Sequence, residues 1–192
     1  MDLKALVVID MQEDFVNGAL ANEAAQDIEP EICIAIRDHI EAGQPVIFTR
    51  DTHYDDYMET LEAKKLPIPH CIHDTPGWQL TEAILQTLDM CDAIEGQHYI
   101  IIDKDTFGAY DLAEEIEDFI GEEFGYDDEL TSLTFVGVCT GICVISNVAI
   151  ARAHFPECPI YVRADACACV TPETHRQALE AMKVFQIDVT EA

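Results

Sequence analysis

At 192 residues the chain is long enough for one well-packed domain and too short for two of ordinary size. Its 38 acidic residues against 10 basic give a formal net charge of −28, which repels phosphate backbones and anionic lipid surfaces, so no nucleic acid and no membrane partner is expected. No apolar run approaches the roughly 18 residues of a membrane span, and the chain opens on Ala5–Ile9 without the basic region, long apolar core and cleavage site of a secretory leader, so a cytoplasmic location is expected.

Ala5 to Ile9 (ALVVI) is a continuous apolar run, as expected of a strand buried on both faces of a parallel sheet, and it ends at Asp10. From Gln26 to Ala42, Ile28, Ile32, Ala35, Ile36 and Ile40 recur at three- and four-residue intervals before Gly43, which predicts an amphipathic helix with a stop signal. Val46 to Thr49 predicts a second strand leading into Arg50, Asp51, Thr52 and His53. The next stretch, Thr52 to Trp78, carries His, Asp, Glu and Pro with no clear period over about 27 residues, and a loop that long is usually functional or disordered.

Leu80 to Leu88 reads as a helix, Tyr99 to Ile102 as a third strand ending at Asp103 and Lys104, and Leu112 to Phe124 as an acidic amphipathic helix. Leu133 to Val138 then gives a strand, Cys139-Thr140-Gly141 a tight turn, and a helical pattern begins at about Ile142. Ile160 to Arg163 predicts a fifth strand, Pro172 to Phe185 a helix with Pro in its first turn, and a short strand lies near Ile187. Strands alternating with helices predict one α/β domain over residues 1–192, a three-layer α/β/α Rossmann-like fold with a mostly parallel six-stranded sheet.

In such sheets the ligand crevice lies beyond the carboxyl ends of the strands. Four of those ends supply Asp10, Asp51 with His53, Lys104, and the turn leading to Cys143. A cysteine just inside a helix N-terminus faces unpaired N–H groups and the positive end of the helix dipole, both of which favour thiolate, so Cys143 is the candidate nucleophile. The bland alternative is a small core residue. Asp, Lys and Cys at three strand ends could divide proton transfer, charge stabilisation and nucleophilic attack among them. Asp51 and His53, with His70 later in the loop, offer a carboxylate and two imidazoles, donors that suit zinc, iron or manganese. The eight cysteines are expected to be thiols, because neither the Cys139/Cys143 nor the Cys167/Cys169 spacing is that of a structural zinc knuckle and the compartment is reducing.

Five stretches together resemble the isochorismatase-like superfamily of cysteine hydrolases, and within it the nicotinamidases: VVIDMQEDFVNGAL at Val7 to Leu20, TRDTH at Thr49 to His53, PHCIHDTPGW at Pro69 to Trp78, KDTFGAYDL at Lys104 to Leu112, and VGVCTGICV at Val136 to Val144. The resemblance covers almost the whole chain. It implies that Asp10, Lys104 and Cys143 form a catalytic triad, and that the Val138–Cys139 peptide sits where the family has a non-proline cis bond. The N–H groups of Cys139 and Cys143 would then make the oxyanion hole. It further implies one divalent ion, zinc first with iron or manganese as alternatives, held by Asp51, His53 and His70.

The fourth ligand in many members is a His six residues after the first, and that position here is Glu59. Other members use a Glu shortly before the last His, which places Glu62 ahead of Glu59, with His73 a distant third. Phe15 and Phe107 would wall a pocket for a flat ring with Tyr110 among the substrate contacts, whereas Trp78 is expected to serve packing. The activity implied is hydrolysis of nicotinamide to nicotinate and ammonia through a thioester, by a homo-oligomer acting on a small amide within pyridine nucleotide salvage. The alternatives are another carbamoyl or ureido amidase of the superfamily, or a noncatalytic ligand-binding protein on the same fold. Isochorismatase itself is disfavoured, because its branch lacks the nucleophilic Cys.

Overall fold

Along β1 (Asp2–Ile9), Leu3, Ala5, Val7 and Ile9 enter one apolar layer while Leu6 and Val8 enter the other. That is the period-two pattern of an extended chain buried on both sides. The structure is a computed structural model that describes residues 2–125 and 129–191. Five more strands join β1: β2 (Val46–Asp51), β3 (Tyr99–Lys104), β4 (Glu129–Val138), β5 (Ile160–Ala168) and β6 (Asp188–Thr190). Their order is β3-β2-β1-β4-β5-β6 and every pairing is parallel, so the sheet is wholly rather than mostly parallel.

Helices cover both faces because both faces are apolar. On one side α2 (Glu23–Glu41) buries Ala25, Ile28, Ile32, Ala35, Ile36 and Ile40, beside α3 (Glu82–Met90) with Ile84 and Leu88. On the other, α4 (Leu112–Glu123), α5 (Ile145–His154) and α6 (Pro172–Val184) supply Ile116, Ile120, Val148, Ala151, Leu179 and Met182. Fully burying each of the large aliphatic side chains contributes about 1.5–3 kcal/mol before the ordering entropy is counted.

Several boundaries differ from the sequence pattern. A single helical turn, α1 (Glu13–Val16), follows β1 and is too short to show a period. Helix α2 starts ahead of Gln26 because the Asn22 side chain caps it by accepting from the Ala24 N–H, and it continues through an exposed Pro30. β5 runs on to Ala168, well past Arg163. The long loop is ordered by 3-10 turns at Tyr57–Glu59 and Pro76–Trp78 and by a parallel bridge between His53 and Ile72.

The strand order reverses between β1 and β4: β2 and β3 lie to one side, β5 and β6 to the other. At such a switch point the connections diverge and leave a crevice beyond the strand ends. Close approach of the two central strands there depends on Gly137, whose φ is 111° and where a Cβ would fall 2.2 Å from the Ile9 carbonyl oxygen. Only glycine combines that backbone conformation with that contact.

Candidate active site

Asp10 leaves β1 in the left-handed region, with φ of 49°, and is fully buried at the switch point. Its backbone N–H donates to Thr49 Oγ1 at 3.2 Å, and that hydroxyl donates back to Asp10 Oδ1 at 2.6 Å, fixing the carboxylate. Lys104, the last residue of β3, reaches across β2 to place Nζ 2.7 Å from Asp10 Oδ2, 3.2 Å from Asp51 Oδ1 and 3.7 Å from Cys143 Sγ. Asp51 and Lys104 are register partners at the ends of β2 and β3, which is why the Lys side chain bridges the carboxylates. Burial disfavours its charge, but Asp10, Cys143 and Asp51 outweigh that and hold the ammonium well above its ordinary value.

Cys143 lies in a single π-helical turn, Thr140–Val144, wedged between β4 and α5, and is 6% exposed. The peptide between Val138 and Cys139 is cis. Burial first, and then the Asp10 charge, push the Cys143 thiol well above its usual range, with Lys104 acting the other way. The helix-terminus argument for a resting thiolate is therefore corrected: desolvation and two carboxylates exceed the backbone dipole. The thiol keeps its proton, and the neighbouring Asp10 carboxyl is itself raised by burial, with Lys104 opposing.

Beside Lys104, ligand atoms of Asp51, His53 and His70 lie within 4.8 Å of one another, all three residues buried. His53 Nε2 is 3.0 Å and His70 Nε2 3.5 Å from Asp51 Oδ2, and His53 Nε2 has no hydrogen-bond partner. His70 Nδ1 donates to the Ile68 carbonyl at 2.9 Å, which leaves Nε2 as the nitrogen turned to the cluster. A buried imidazole nitrogen without a partner, facing a carboxylate and a second imidazole, fits a divalent cation with a mixed N/O donor set. Although burial opposes it, the neighbouring imidazoles and Lys104 hold the Asp51 carboxyl far below its usual range.

Glu62 stands next to this group, its carboxylate oxygens 3.9 Å from His53 Nε2 and 3.7 Å from His70 Nε2. Glu59 is exposed on its 3-10 turn. His73 turns away, with Nδ1 3.3 Å from Asp74 and its ring against Trp78 and Tyr54. Trp78 is a packing residue: it is buried, donates from Nε1 to Thr52 Oγ1 at 2.8 Å and lies under the Arg50 guanidinium.

Several positioning side chains gave no sequence signal. Buried Gln12 donates to the carbonyls of Asp51 and Trp78 and accepts from the Asp51 N–H, clamping β2 to the loop. Asp14 accepts from the Cys71 N–H at 2.8 Å, one residue after His70, and Tyr57 packs its ring against both His53 and His70. Asn147 accepts from the Ala109 N–H and donates to the carbonyls of Cys143 and Phe107, tying α5 to the loop after β3. A Gln after Asp-Met, or an Asn inside a helix, reads equally as a surface residue until the fold buries it.

The isochorismatase domain model matches residues 4–192. The chain belongs to the isochorismatase family. Among solved structures similar to it, a nicotinamidase/pyrazinamidase from Bacillus subtilis shares 28% identity with a TM-score of 0.81, covering 98% of this chain and 100% of that one. A pyrazinamidase from Pyrococcus horikoshii, solved in complex with zinc, shares 25% identity with a TM-score of 0.75 over 98% of this chain and 99% of that one. An N-carbamoylsarcosine amidase from Thermoplasma acidophilum has the same fold, at 20% identity and a TM-score of 0.73, over 98% and 96%. No curated protein sequence matches the chain.

In this isochorismatase-family hydrolase the aromatic candidates are distributed unequally. Phe15 is half-buried and tilts against His70, with ring centroids 5.5 Å apart. Phe107 is 49% and Tyr110 81% exposed, so neither forms a buried pocket wall as expected. Tyr110 and Lys104, with Thr52 and Asp103, line a polar cleft of about 220 Å³.

Proposed function

We propose that the protein is an amidohydrolase that converts nicotinamide to nicotinate and ammonia through a thioester on Cys143. The observation that carries this reading is the buried contact of Lys104 Nζ with Asp10 at 2.7 Å and Cys143 Sγ at 3.7 Å, next to a group of donors suited to a metal. As Sγ attacks the carboxamide carbon, Asp10 takes the thiol proton. The backbone N–H groups of Cys139 and Cys143 receive the developing oxyanion.

Asp10 then returns the proton to the nitrogen, ammonia leaves and the acyl group remains on sulfur. Water, deprotonated by Asp10, attacks the thioester, and the carboxylic acid departs as the proton passes back to the thiol. Throughout, Lys104 opposes the rise that burial imposes on the Asp10 carboxyl and stabilises the sulfur anion as it forms. Asp51, His53 and His70, with Glu62 as the fourth donor, would hold one divalent ion, zinc by donor type, which when bound supplies a Lewis-acid anchor for a pyridine nitrogen. Phe15 beside His70 would flank the ring, with the exposed Phe107 and Tyr110 as further contacts.

The test is ammonia release from nicotinamide, pyrazinamide and a set of carbamoyl and ureido compounds, with wild type and Cys143→Ala. The expected result is turnover of the two ring carboxamides and none in the variant, whose fold remains intact. Faster turnover of a carbamoyl compound would move the substrate class, and near-wild-type activity of Cys143→Ala would overturn the mechanism.

A further inference from the structure

β4 and β5 run side by side with Gly137 against Cys167 and Val138 against Ala168. The next residue of each strand end, Cys139 and Cys169, therefore leave the sheet together. Adjacent strands lie about 4.8 Å apart, inside the range of about 4.4–6.8 Å between Cα atoms that a disulfide spans. Each of the two sulfurs is the largest influence on the other's ionisation. Gly141, on the same turn as Cys139, lies so close that a Cβ there would be 3.5 Å from Cys169 Sγ.

The two sulfurs are in different states. Cys169 faces the Cys139 sulfur first, and also the Thr174 hydroxyl and the N–H groups of Gly141 and Val170, which together hold it near a pKa of about 5 although it is buried. The Cys139 thiol is pushed far above its ordinary value, first by the Cys169 sulfur and then by burial. An anionic sulfur beside a protonated one is the arrangement of an attacking and a resolving cysteine. By contrast, burial pushes Cys167 up to about 12 and raises Cys71 and Cys143 as well. Cys169 itself is 5% exposed and lies between the exposed Gly141 and Val170.

We propose that Cys139 and Cys169 are an oxidation site, closed by a peroxide into a disulfide that ties the Cys139-Thr140-Gly141 turn to β5 and reversibly slows hydrolysis. The Cys169 thiolate attacks one peroxide oxygen, the O–O bond breaks, and Cys169 becomes a sulfenic acid as the other oxygen leaves and is protonated. The Cys139 sulfur then attacks the sulfenic sulfur; the S–S bond forms, the S–O bond breaks, and hydroxide leaves with the Cys139 proton as water. Two thiols lose two electrons and one peroxide gains them. The pairing stands on the strand register, whereas the effect on turnover rests on the proposed role of the Cys139 N–H in the oxyanion hole.

The test treats the reduced protein with hydrogen peroxide and follows two readouts: alkylation with peptide mapping, and ammonia release from nicotinamide. The expected map is a Cys139–Cys169 linkage formed while Cys143 remains alkylatable, with turnover reduced roughly tenfold or more and restored by dithiothreitol; losing one oxyanion donor costs about 10²–10³. Cys169→Ala should keep the activity of the reduced protein and lose the reversible inhibition. Oxidation of Cys143 first, or a Cys139–Cys143 or Cys167–Cys169 linkage instead, would overturn the pair, and the map decides this whether or not nicotinamide is the substrate. A complete Cys139–Cys169 linkage with undiminished turnover would overturn its control of the site.

Discussion

Lys104→Met should weaken the fold and the nucleophile together, because one ammonium serves both. Its Nζ is 2.7 Å from Asp10 and 3.2 Å from Asp51, and the Lys104 and Asp10 side chains are 1% and 0% exposed. Methionine fills most of the volume, so the main loss is electrostatic: removing one partner of a buried ion pair costs about 3–5 kcal/mol. With a urea slope of about 2 kcal/mol per molar, the unfolding midpoint should fall by roughly 2 M.

The pH dependence follows from Asp10. Its carboxyl is already raised by burial, with Lys104 pulling it down, so losing Lys104 raises it further. Between the unfolded carboxyl value and that raised value the native variant binds more protons than the unfolded chain, and stability must fall as pH rises through the window. The deficit should therefore be smallest at the acid end and complete above the folded value. Replacing Asp10 with Asn in the Lys104→Met background removes the stranded charge and should recover part of the lost stability. Iodoacetamide labelling of Cys143 should also slow by about tenfold for each unit its thiol rises, since Lys104 opposes the other charges there. Equal urea midpoints for the single and double variants, together with unchanged labelling, would refute the reasoning.

Two further sets of variants probe the surroundings. His53→Ala or His70→Ala should cost the protein its divalent metal, Glu62→Ala should weaken retention and Glu59→Ala should not; metal analysis of the purified variants checks this, and stoichiometric metal surviving both His changes would eliminate the site. Asn147→Ala should cost about 1–3 kcal/mol by orphaning the buried Ala109 N–H and Cys143 carbonyl, and should lower kcat while raising KM as the Phe107 loop shifts. Asn147→Asp should not rescue either kinetic constant, because a carboxylate cannot donate to the two carbonyls, and full rescue would assign Asn147 a merely space-filling role.

Much of the architecture was legible in residue order. Runs such as ALVVI can be satisfied only by burial on two faces, and their alternation with amphipathic helices requires a parallel sheet between two helical layers. The same strand ends pointed to Asp10, Asp51, Lys104 and Cys143, which the fold brings into one cluster. The short α1, the π-helical turn and the far end of β5 were not legible, because a single turn has no period and a bulged strand end has no alternation.

Local pattern thus determined the layers, the strands and the chemistry available at their ends, since apolar periodicity and residue type act over a few neighbours. Tertiary structure alone decided the protonation of Cys143, for that depends on burial and on charges delivered by β1, β2 and β3 at once. It also brought Glu62, already favoured over Glu59 by the resemblance, to within 3.9 Å of His53 and 3.7 Å of His70 through the path of an aperiodic loop. Finally, it set Cys139 beside Cys169, residues 30 positions apart in sequence, because the register of β4 on β5 is set by packing across the whole sheet.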